Sequence, residues 1–390
     1  MKKKATFIFT KKIPIISFLL CLFLILAVIN YKFILSPLVS PEKAEPESIF
    51  PHIWKVRSIE TMSLTKDRLC NQPSISYIKK WVKLAKEAGA THITYSGFYD
   101  SLSCGNAEKY AEKWEREARQ VGLHIWWRQM FTEFEGIDKP VVSQCNGANK
   151  GNCRDYIALT VEEIKKHPDK YQDGDIFSVT AEPGANRIRG VTCIHEGPCV
   201  FESKSGAPDA IPEFNEWMVR AVEAAKNTFQ ELGVDVAVTA GGLDLFVAVG
   251  YGNPDWGCDN GQKNILYPET VEKMGGMVLD HYFDADYESM QKAIDAINHC
   301  YPAHRYPHLV FQIGEWGPLY GLDTPRQIHE TMDTLSQAGS RYTAVFNYWQ
   351  GGPFGQESLF AEDGESIRTT PNYDALKKQF ERQRYYPIHP

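Results

Sequence analysis

The run Leu309-Val-Phe-Gln-Ile-Gly-Glu-Trp-Gly317 decides the fold expected for this chain, because an apolar stretch ends there on an ionisable side chain. Its apolar residues predict a buried β-strand with Glu315 at its carboxyl end. An earlier run, Asp175-Ile-Phe-Ser-Val-Thr-Ala-Glu-Pro183, ends in the same way on Glu182, and Pro183 stops that strand. One glutamate after a strand is usually a solvated loop residue. Two of them, at strand ends in a repeating pattern, predict a functional site.

Strands and amphipathic helices alternate along residues 51–390, and this alternation predicts a (β/α)8 TIM barrel. The predicted strands are Trp54 to Met62, Thr91 to Gly97, His124 to Met130, Asp175 to Ala181, Val234 to Ala240, Met277 to Phe283, Leu309 to Gly314 and Tyr342 to Tyr348. The predicted helices are Ser74 to Gly89, Ala107 to Val121, Arg154 to Lys166, Ile211 to Leu232, Pro268 to Met274, Tyr287 to His299, Pro325 to Ala338 and Tyr373 to Gln383. A doubly wound sheet is the alternative, but it commonly has a glycine-rich turn after its first strand, and this chain has none there.

In such a barrel, catalytic groups stand at the carboxyl ends of the strands. Glu182 would follow strand four and Glu315 strand seven, on opposite sides of the barrel mouth. Two carboxyl groups that face each other across a sugar can perform acid/base and nucleophilic work on a glycosidic bond. The sequence therefore predicts that Glu182 and Glu315 are catalytic.

The N-terminal fifty residues are predicted to lie outside the barrel domain. Residues 1–12 are a basic cytoplasmic segment, 13–35 form an apolar stretch long enough to cross a bilayer, and 36–50 have the composition of a linker. The excess of lysine before the stretch predicts a membrane-anchored protein whose domain, 51–390, lies on the extracytoplasmic side, at the cell surface or in the periplasm. A cleaved signal peptide is the alternative, although no small-residue cleavage site follows the apolar core.

The net charge and the cysteine content indicate which binding partners and which cellular compartment to expect. The formal net charge of −7 provides no basic surface of the kind that nucleic-acid binding needs, so no nucleic-acid partner is expected. Eight cysteines follow the predicted anchor, and an even number in an exported domain predicts disulfides of unknown connectivity. The run Cys193-Ile-His-Glu-Gly-Pro-Cys199 lacks the spacing of a zinc site, and neither a metal nor a cofactor is predicted.

Short motifs in the barrel region resemble those of the clan A retaining glycoside hydrolases, especially the family-five cellulases and mannanases. Ile313-Gly-Glu-Trp-Gly317 is similar to their nucleophile segment after strand seven, and Glu182-Pro183 matches two positions of their Asn-Glu-Pro motif after strand four. Asp280-His-Tyr-Phe-Asp284 is similar to their His-x-Tyr region, and Asn347-Tyr-Trp-Gln350 to their strand-eight tryptophan. The resemblance implies a barrel in which Glu182 is the acid/base and Glu315 the nucleophile.

Candidate substrate-binding residues lie near the predicted strand ends. The resemblance implies that Trp349 forms a floor under the sugar and that Tyr282 donates a hydrogen bond to Glu315. His281 is a candidate for holding Tyr282 or a substrate hydroxyl, and a core histidine with satisfied hydrogen bonds is the alternative. Arg128 is a candidate cation at the mouth, although a structural ion pair is an equal alternative. Trp316 and Trp127 are candidate stacking platforms for apolar sugar faces, and core packing is the alternative for each.

One departure from the family pattern leaves other functions open. Ala181 stands where the family has an asparagine that hydrogen-bonds the sugar 2-hydroxyl, a contact that strengthens in the transition state. The main expectation is a retaining glycoside hydrolase with a β-linked oligo- or polysaccharide substrate. The alternatives are a catalytically impaired carbohydrate-binding barrel on the cell surface, and another barrel hydrolase that uses Glu182 and Glu315 as metal ligands.

Overall fold

The structure is a computed structural model that describes most of the predicted barrel domain. The described residues are 56–65, 72–98, 107–130, 132–133, 139–140, 156–179, 211–240, 242–244, 266–282, 290–317, 324–338, 341–348, 358–363 and 366–385. They all belong to one unit, Pro46–Pro390. Within these ranges, no helix is long and apolar enough to span a bilayer. The predicted anchor 13–35 and its flanks, 1–12 and 36–50, lie outside the described residues.

Thirteen strands are present in the described residues, and most are rich in β-branched or aromatic side chains. They are β1 (Arg57–Glu60), β2 (His92–Phe98), β3 (His124–Met130), β4 (Thr132–Glu133), β5 (Lys139–Pro140), β6 (Ile176–Ser178), β7 (Ala237–Thr239), β8 (Gly242–Asp244), β9 (Gly276–Tyr282), β10 (Val310–Gly317), β11 (Tyr342–Tyr348), β12 (Phe360–Asp363) and β13 (Ser366–Thr369).

The helices follow the strands as the alternating pattern predicts. They are α1 (Met62–Thr65), α2 (Ile75–Ala88), α3 (Ala107–Gln120), α4 (Tyr156–Lys166), α5 (Ile211–Leu232), α6 (Pro268–Met274), α7 (Met290–Cys300), α8 (Thr324–Gln337) and α9 (Pro371–Tyr385), with a 3-10 turn at Pro168–Lys170. Helix α2 shows why the bounds fall where they do. The Ser74 hydroxyl accepts a hydrogen bond from the Tyr77 amide, and Gly89 ends the helix in the left-handed region at φ 98°.

The large sheet forms the wall of a barrel, and two short consecutive strands, β7 and β8, together occupy one place in it. Its order is β7-β6-β3-β2-β1-β11-β10-β9-β8, with parallel pairing throughout. Its two ends, β7 and β8, are separated in the chain only by residues 240–241. They fill one position in the ring, because β7 pairs with β6 and β8 pairs with β9. Eight strand positions result, and the predicted (β/α)8 barrel is confirmed.

Two predicted elements differ from the structure for local physical reasons, and one strand pair near the C-terminal helix was not predicted. The first strand ends at Glu60 instead of Met62, because the Glu60 carboxylate accepts hydrogen bonds from the Thr61 and Met62 amides and helix α1 begins at once. The predicted fifth strand, Val234 to Ala240, is shorter and is followed by β8, which the paired glycines 241–242 concealed. The antiparallel pair of β12 and β13, between strand eight and the last helix, was not predicted.

Apolar side chains on the two faces of the barrel strands enter two separate cores. The larger core lies between the sheet and the helices and contains bulky residues such as Trp81, Trp114 and Phe311. The smaller core fills the barrel interior and consists of Val56, Trp126, Ile176, Ala237 and Val278. Because successive side chains of a strand point to opposite faces, strands β3, β6, β7 and β9 contribute to both cores. The residues on the interior face of each strand therefore determine which side chains lie at the barrel mouth.

Cys300, the last residue of α7, forms a disulfide. The other cysteines for which disulfides were predicted lie outside the described residues, as does the run Cys193 to Cys199. The remaining pairings stay a prediction.

The start of β9 requires glycine at position 276. Gly276 has φ +149°, and a Cβ atom there would lie 1.9 Å from the Val310 carbonyl oxygen of the neighbouring strand. We expect Gly276→Ala to lower the free energy of unfolding by about 3 kcal/mol or more, because backbone atoms must move apart. Gly233→Ala is the matched control, since Gly233 has φ +70° but nothing within 4 Å of its added Cβ, and it should cost only about 1 kcal/mol. Chemical denaturation followed by tryptophan fluorescence measures both, and equal losses would contradict this account.

A half-buried carboxyl on α3 predicts a dependence of stability on pH. Burial raises the pKa of Glu115 from 4.5 to about 7, although the cations Arg119 and Lys170 lower it. The folded-state pKa lies above the unfolded one, so this group's stabilising contribution is complete below about pH 4.5 and is lost as pH rises through 7. We expect Glu115→Gln to gain thermal stability relative to the parent between pH 5 and pH 8. The exposed neighbour Glu112→Gln is the control, and a Glu115→Gln difference that does not change with pH would contradict the prediction.

Candidate active site

Glu315 faces the barrel interior because β10 contains a bulge. Phe311 and Ile313 point outward into the larger core, and strict alternation would send residue 315 the same way. The pairing with β9 shifts by one residue here, since Ile313 lies opposite Leu279 but Glu315 lies opposite Asp280. The extra residue in β10 returns the Glu315 side chain to the interior face, where it contacts Arg128.

Gly314, the extra residue of the bulge, lies against β9. A Cβ atom at this position would be 2.4 Å from Val278 Cγ1 and 2.8 Å from Asp280 Oδ1. Any larger residue would push β10 away from β9 and would change the direction of Glu315. The Ile-Gly-Glu segment therefore has a packing reason for its glycine as well as a possible chemical reason for its glutamate.

Arg128 brings the cation of the site from β3. It lies two residues after Trp126, which is part of the interior core, so both side chains are on the interior face. One of its guanidinium nitrogens, Nη1, donates a hydrogen bond to Glu315 Oε1 and another to Glu60 Oε2 at 3.2 Å. All three side chains are at most 2% exposed. A buried arginine thus joins two buried carboxylates from strands β1 and β10.

The Glu60 carboxylate is fixed through its second oxygen. Oε1 accepts hydrogen bonds from the Thr61 amide at 3.0 Å, the Met62 amide at 2.9 Å and the Ser96 hydroxyl at 3.0 Å. These donors come from the end of β1 and from the adjacent strand β2. Charge-assisted bonds of this kind are stronger than neutral ones, so they hold Glu60 in one orientation.

The barrel interior changes from apolar to charged toward the carboxyl ends of its strands. A middle layer contains hydroxyl pairs, with Ser58 Oγ 2.6 Å from Thr94 Oγ1 and Ser178 Oγ 2.9 Å from Thr239 Oγ1. The charged layer above it contains Glu60, Arg128, Glu315 and Asp280, whose carboxylate is also buried. We call these four residues the charged layer. Among the described residues, these four are the buried ionisable side chains on the interior face at this end of the barrel.

The local chemistry of the charged layer suits an ionised Glu315. A cation in direct contact favours the charged form of a carboxyl group, and the guanidinium of Arg128 is such a cation. The low exposure strengthens this interaction, because water screens it little. Glu315 is therefore equipped to act as an anion, either as a nucleophile or as the partner of a developing positive charge.

Of the predicted substrate-binding residues, the structure brings Arg128 to Glu315 and places three others elsewhere. Trp316 is fully buried in the larger core, and His281, which pairs with it in register, follows Asp280 and so points to the same outward face. The Trp127 indole is also buried there, and its Nε1 donates a hydrogen bond to Asp175 Oδ2 at 3.1 Å. The packing alternative applies to these three residues, because strand alternation directs them away from the interior.

The remaining predicted site residues cannot be placed. Glu182 and Trp349 lie outside the described residues, and for Tyr282 the backbone alone is described, opposite Gly317 of β10. Residues 176–179 lead toward Glu182, and within them Ser178 lies opposite Arg128 of β3. Among the residues that the structure describes, no group of three or more histidine, cysteine, aspartate or glutamate side chains could hold a metal ion.

Three residues of the site were missed in the sequence. Glu60 is the last residue of β1, but the predicted strand continued to Met62 and hid this signal. Asp280 was noted only as the first residue of a family-like segment, although it is the residue opposite Glu315. Ser96 gave no signal, because serine within a strand is common and its bond to Glu60 joins residues 36 positions apart.

Comparison with known proteins supports the fold. No protein-family model matches the chain, and no curated protein matches its sequence. One of two fungal β-1,4-galactanases aligns with a TM-score of 0.53 at 12% identity, over 83% of this chain and 99% of that one. A triple mutant of an endo-β-1,4-glucanase from Xanthomonas axonopodis pv. citri gives 0.52 at 10% identity, over 84% and 99%. A GH5-4 broad-specificity endoglucanase from Clostridum cellulovorans gives 0.51 at 11% identity, over 85% and 96%. The chain therefore shares its fold with these three enzymes.

The arrangement of the charged layer predicts a large effect of Arg128→Met on stability. This change leaves Glu60 and Glu315 buried without their cation, and we expect the free energy of unfolding to fall by about 3 to 5 kcal/mol. Arg116→Met is the matched control, because Arg116 also binds a buried carboxylate, Glu117 at 2.9 Å, but is itself half exposed. The control should cost less than about 1 kcal/mol. Urea denaturation at neutral pH measures both, and a loss at Arg128 no larger than that at Arg116 would contradict the burial argument.

Proposed function

We propose that the chain is a retaining glycoside hydrolase that cleaves β-linked oligo- or polysaccharides by double displacement. The observation that carries the proposal is the pair of Glu315 and Arg128 at the carboxyl end of strand seven of the barrel. Catalytic groups of (β/α)8 enzymes stand at this end. A carboxylate that is buried, ionised and held in place is what the first step of the reaction needs.

In the proposed first step, a Glu315 oxygen attacks the anomeric carbon and the bond to the leaving sugar breaks. Arg128 holds the carboxylate so that one oxygen stays directed toward the substrate, which reduces the entropy lost in reaching the transition state. Glu182 is proposed to protonate the leaving oxygen as the general acid. The product is a glycosyl ester on Glu315, and Glu182 then removes a proton from the water that hydrolyses it. Two inversions at the same carbon give net retention.

The two carboxyl groups must lie about 5 to 5.5 Å apart for this mechanism. The chain favours such an approach because Glu182 follows β6, four residues beyond Ser178, and Ser178 lies opposite Arg128. Arg128 in turn contacts Glu315 across the barrel interior. The assignment of Glu182 rests on this chain connection and on the Glu-Pro motif.

The proposed substrate class follows from structures of the same fold. They include a fungal β-1,4-galactanase, an endo-β-1,4-glucanase and the protein XacCel5A in complex with cellopentaose. The first two act on β-1,4 linkages by name, and we propose that Trp349 of this chain stacks on the apolar face of such a sugar. We further propose that residues 13–35 tether the domain outside the cytoplasm, where polymeric glycans are accessible.

Substitution of the two glutamates tests the mechanism. We expect Glu315→Ala to abolish cleavage of aryl β-glycosides, because the nucleophile is lost, with a decrease of about 10⁴-fold or more. We expect Glu182→Ala to lose activity on unactivated glycans and to regain part of it when azide is added, since a small anion can replace the general base. The exposed Glu330→Ala is the control for glutamate removal and should retain parental activity.

Product stereochemistry gives a second measurement on the same samples. NMR of the first-formed product should show the configuration of the substrate retained at the anomeric carbon. Undiminished turnover by both glutamate variants, or inversion by the parent, would contradict the proposal. Calorimetric binding of a glycan without any product from the parent would identify a carbohydrate-binding protein instead.

A further inference from the structure

We propose that Glu60 is a positioning residue of the proposed active site. Its carboxylate holds Arg128 against Glu315 and partly offsets the positive charge that Arg128 presents to Glu315. The inference rests on the proposed role of Glu315 as nucleophile and extends it to β1, a strand that none of the family-like motifs includes. It concerns a residue that does not touch the substrate in the proposed mechanism but acts through the guanidinium.

Hydrogen bonds to both carboxylate oxygens hold Glu60 in one position. Its Oε1 accepts three hydrogen bonds, from the two backbone amides that follow it and from Ser96, and all lie between 2.9 and 3.0 Å. Its Oε2 is left for Arg128 at 3.2 Å. The backbone amides cannot move without unwinding the junction of β1 and α1. The carboxylate is therefore fixed to the barrel wall before it meets the arginine.

The same guanidinium nitrogen, Arg128 Nη1, binds both Glu60 and Glu315. A long arginine side chain has several rotatable bonds, and a single contact to Glu315 would leave it free to follow that group as it moves. A second contact to a fixed anion removes this freedom. Movement of about 1 Å in a catalytic group can lower the rate by about 100-fold, so such an anchor affects catalysis directly.

Glu60 also limits how strongly Arg128 stabilises the charge on Glu315. A carboxylate that interacts too strongly with a cation is a poorer nucleophile, because that stabilisation is lost when it forms the ester bond. Among the side chains that the structure describes, the charged groups of this interior region are Glu60, Arg128, Asp280 and Glu315. The facing residues of β2, β6 and β7 are Ser96, Ser178 and Thr239, none of which is ionisable near neutral pH. Glu60 is thus a source of opposing negative charge on the far side of the guanidinium.

Glu60→Gln tests the inference because it removes the charge and keeps the size of the side chain. We expect kcat to fall about 10- to 100-fold with KM changed less than about threefold, since the affected interaction belongs to the reacting group. We also expect the acid limb of the kcat/KM profile to move to lower pH by about 0.5 to 1 pH unit, because the whole charge of Arg128 then acts on Glu315. The measurement is the full pH profile of the parent and the variant with an aryl β-glycoside.

Glu117→Gln is the matched control, because Glu117 is buried, binds Arg116 and lies on α3 outside the barrel interior. It should change stability without moving the acid limb. Ser96→Ala is a milder second variant, which removes one donor that fixes Glu60 but keeps its charge. It should lower kcat by a smaller factor with little change in KM, and it should not move the limb to lower pH. It keeps the test available if Glu60→Gln does not fold.

The outcomes separate this inference from the proposed function. An active parent whose acid limb and kcat stay unchanged in both Glu60→Gln and Ser96→Ala would overturn the positioning role and leave the glycosidase proposal intact. The same limb shift in Glu117→Gln would also overturn it, because the effect would then be a general one. A parent that cleaves no glycan would overturn the proposed function, and the positioning role together with it.

Discussion

The burial of one arginine between two carboxylates is the constraint on which the mouth of this barrel depends. Arg128 contacts Glu60 and Glu315 in a region where all three are almost inaccessible to water. Removing charges from water is costly, and the cost is offset only when each group finds its partner in good geometry. The relative positions of strands β1, β3 and β10 must therefore be preserved. The charged layer makes the relative positions of these strands a condition for stability as well as for the proposed chemistry.

The bulge in β10 and the glycine within it satisfy this condition at one strand. A regular strand would place Glu315 with Phe311 and Ile313 in the apolar core, where a carboxylate would have no cation. The one-residue shift against β9 interrupts the regular pairing of the two strands, but it allows Glu315 to form an ion pair in the barrel interior. Gly314 allows it because there is no room for a side chain between β10 and β9. The bulge at Gly314 thus produces both the irregular pairing of β10 and the ion pair of the proposed site.

The sequence predicts the barrel well because strand and helix periods alternate with few interruptions, and Glu315 is recognisable because it closes an apolar run. The pairing of Glu60 with Arg128 is different, since it joins residues 68 positions apart and depends on the curvature and register of three strands. No local pattern contains that information. The outward placement of Trp127, His281 and Trp316 is hidden from the sequence for a related reason. An aromatic residue near a strand end is equally compatible with both faces, and only the register and the bulge decide which face it occupies.

The split strand position gives the barrel a natural division. Strands β1, β2, β3, β6 and β7 come from the chain before residue 240 and are neighbours in the ring. Strands β8 to β11 come from the chain after it and are likewise neighbours. The ring is thus two contiguous half-barrels joined along two seams, one between β1 and β11 and the other where β7 passes into β8. Glu60 and Arg128 belong to the first half, and Glu315 to the second. Neither half contains both the proposed nucleophile and its cation, so the proposed reactive centre forms only when one half docks on the other.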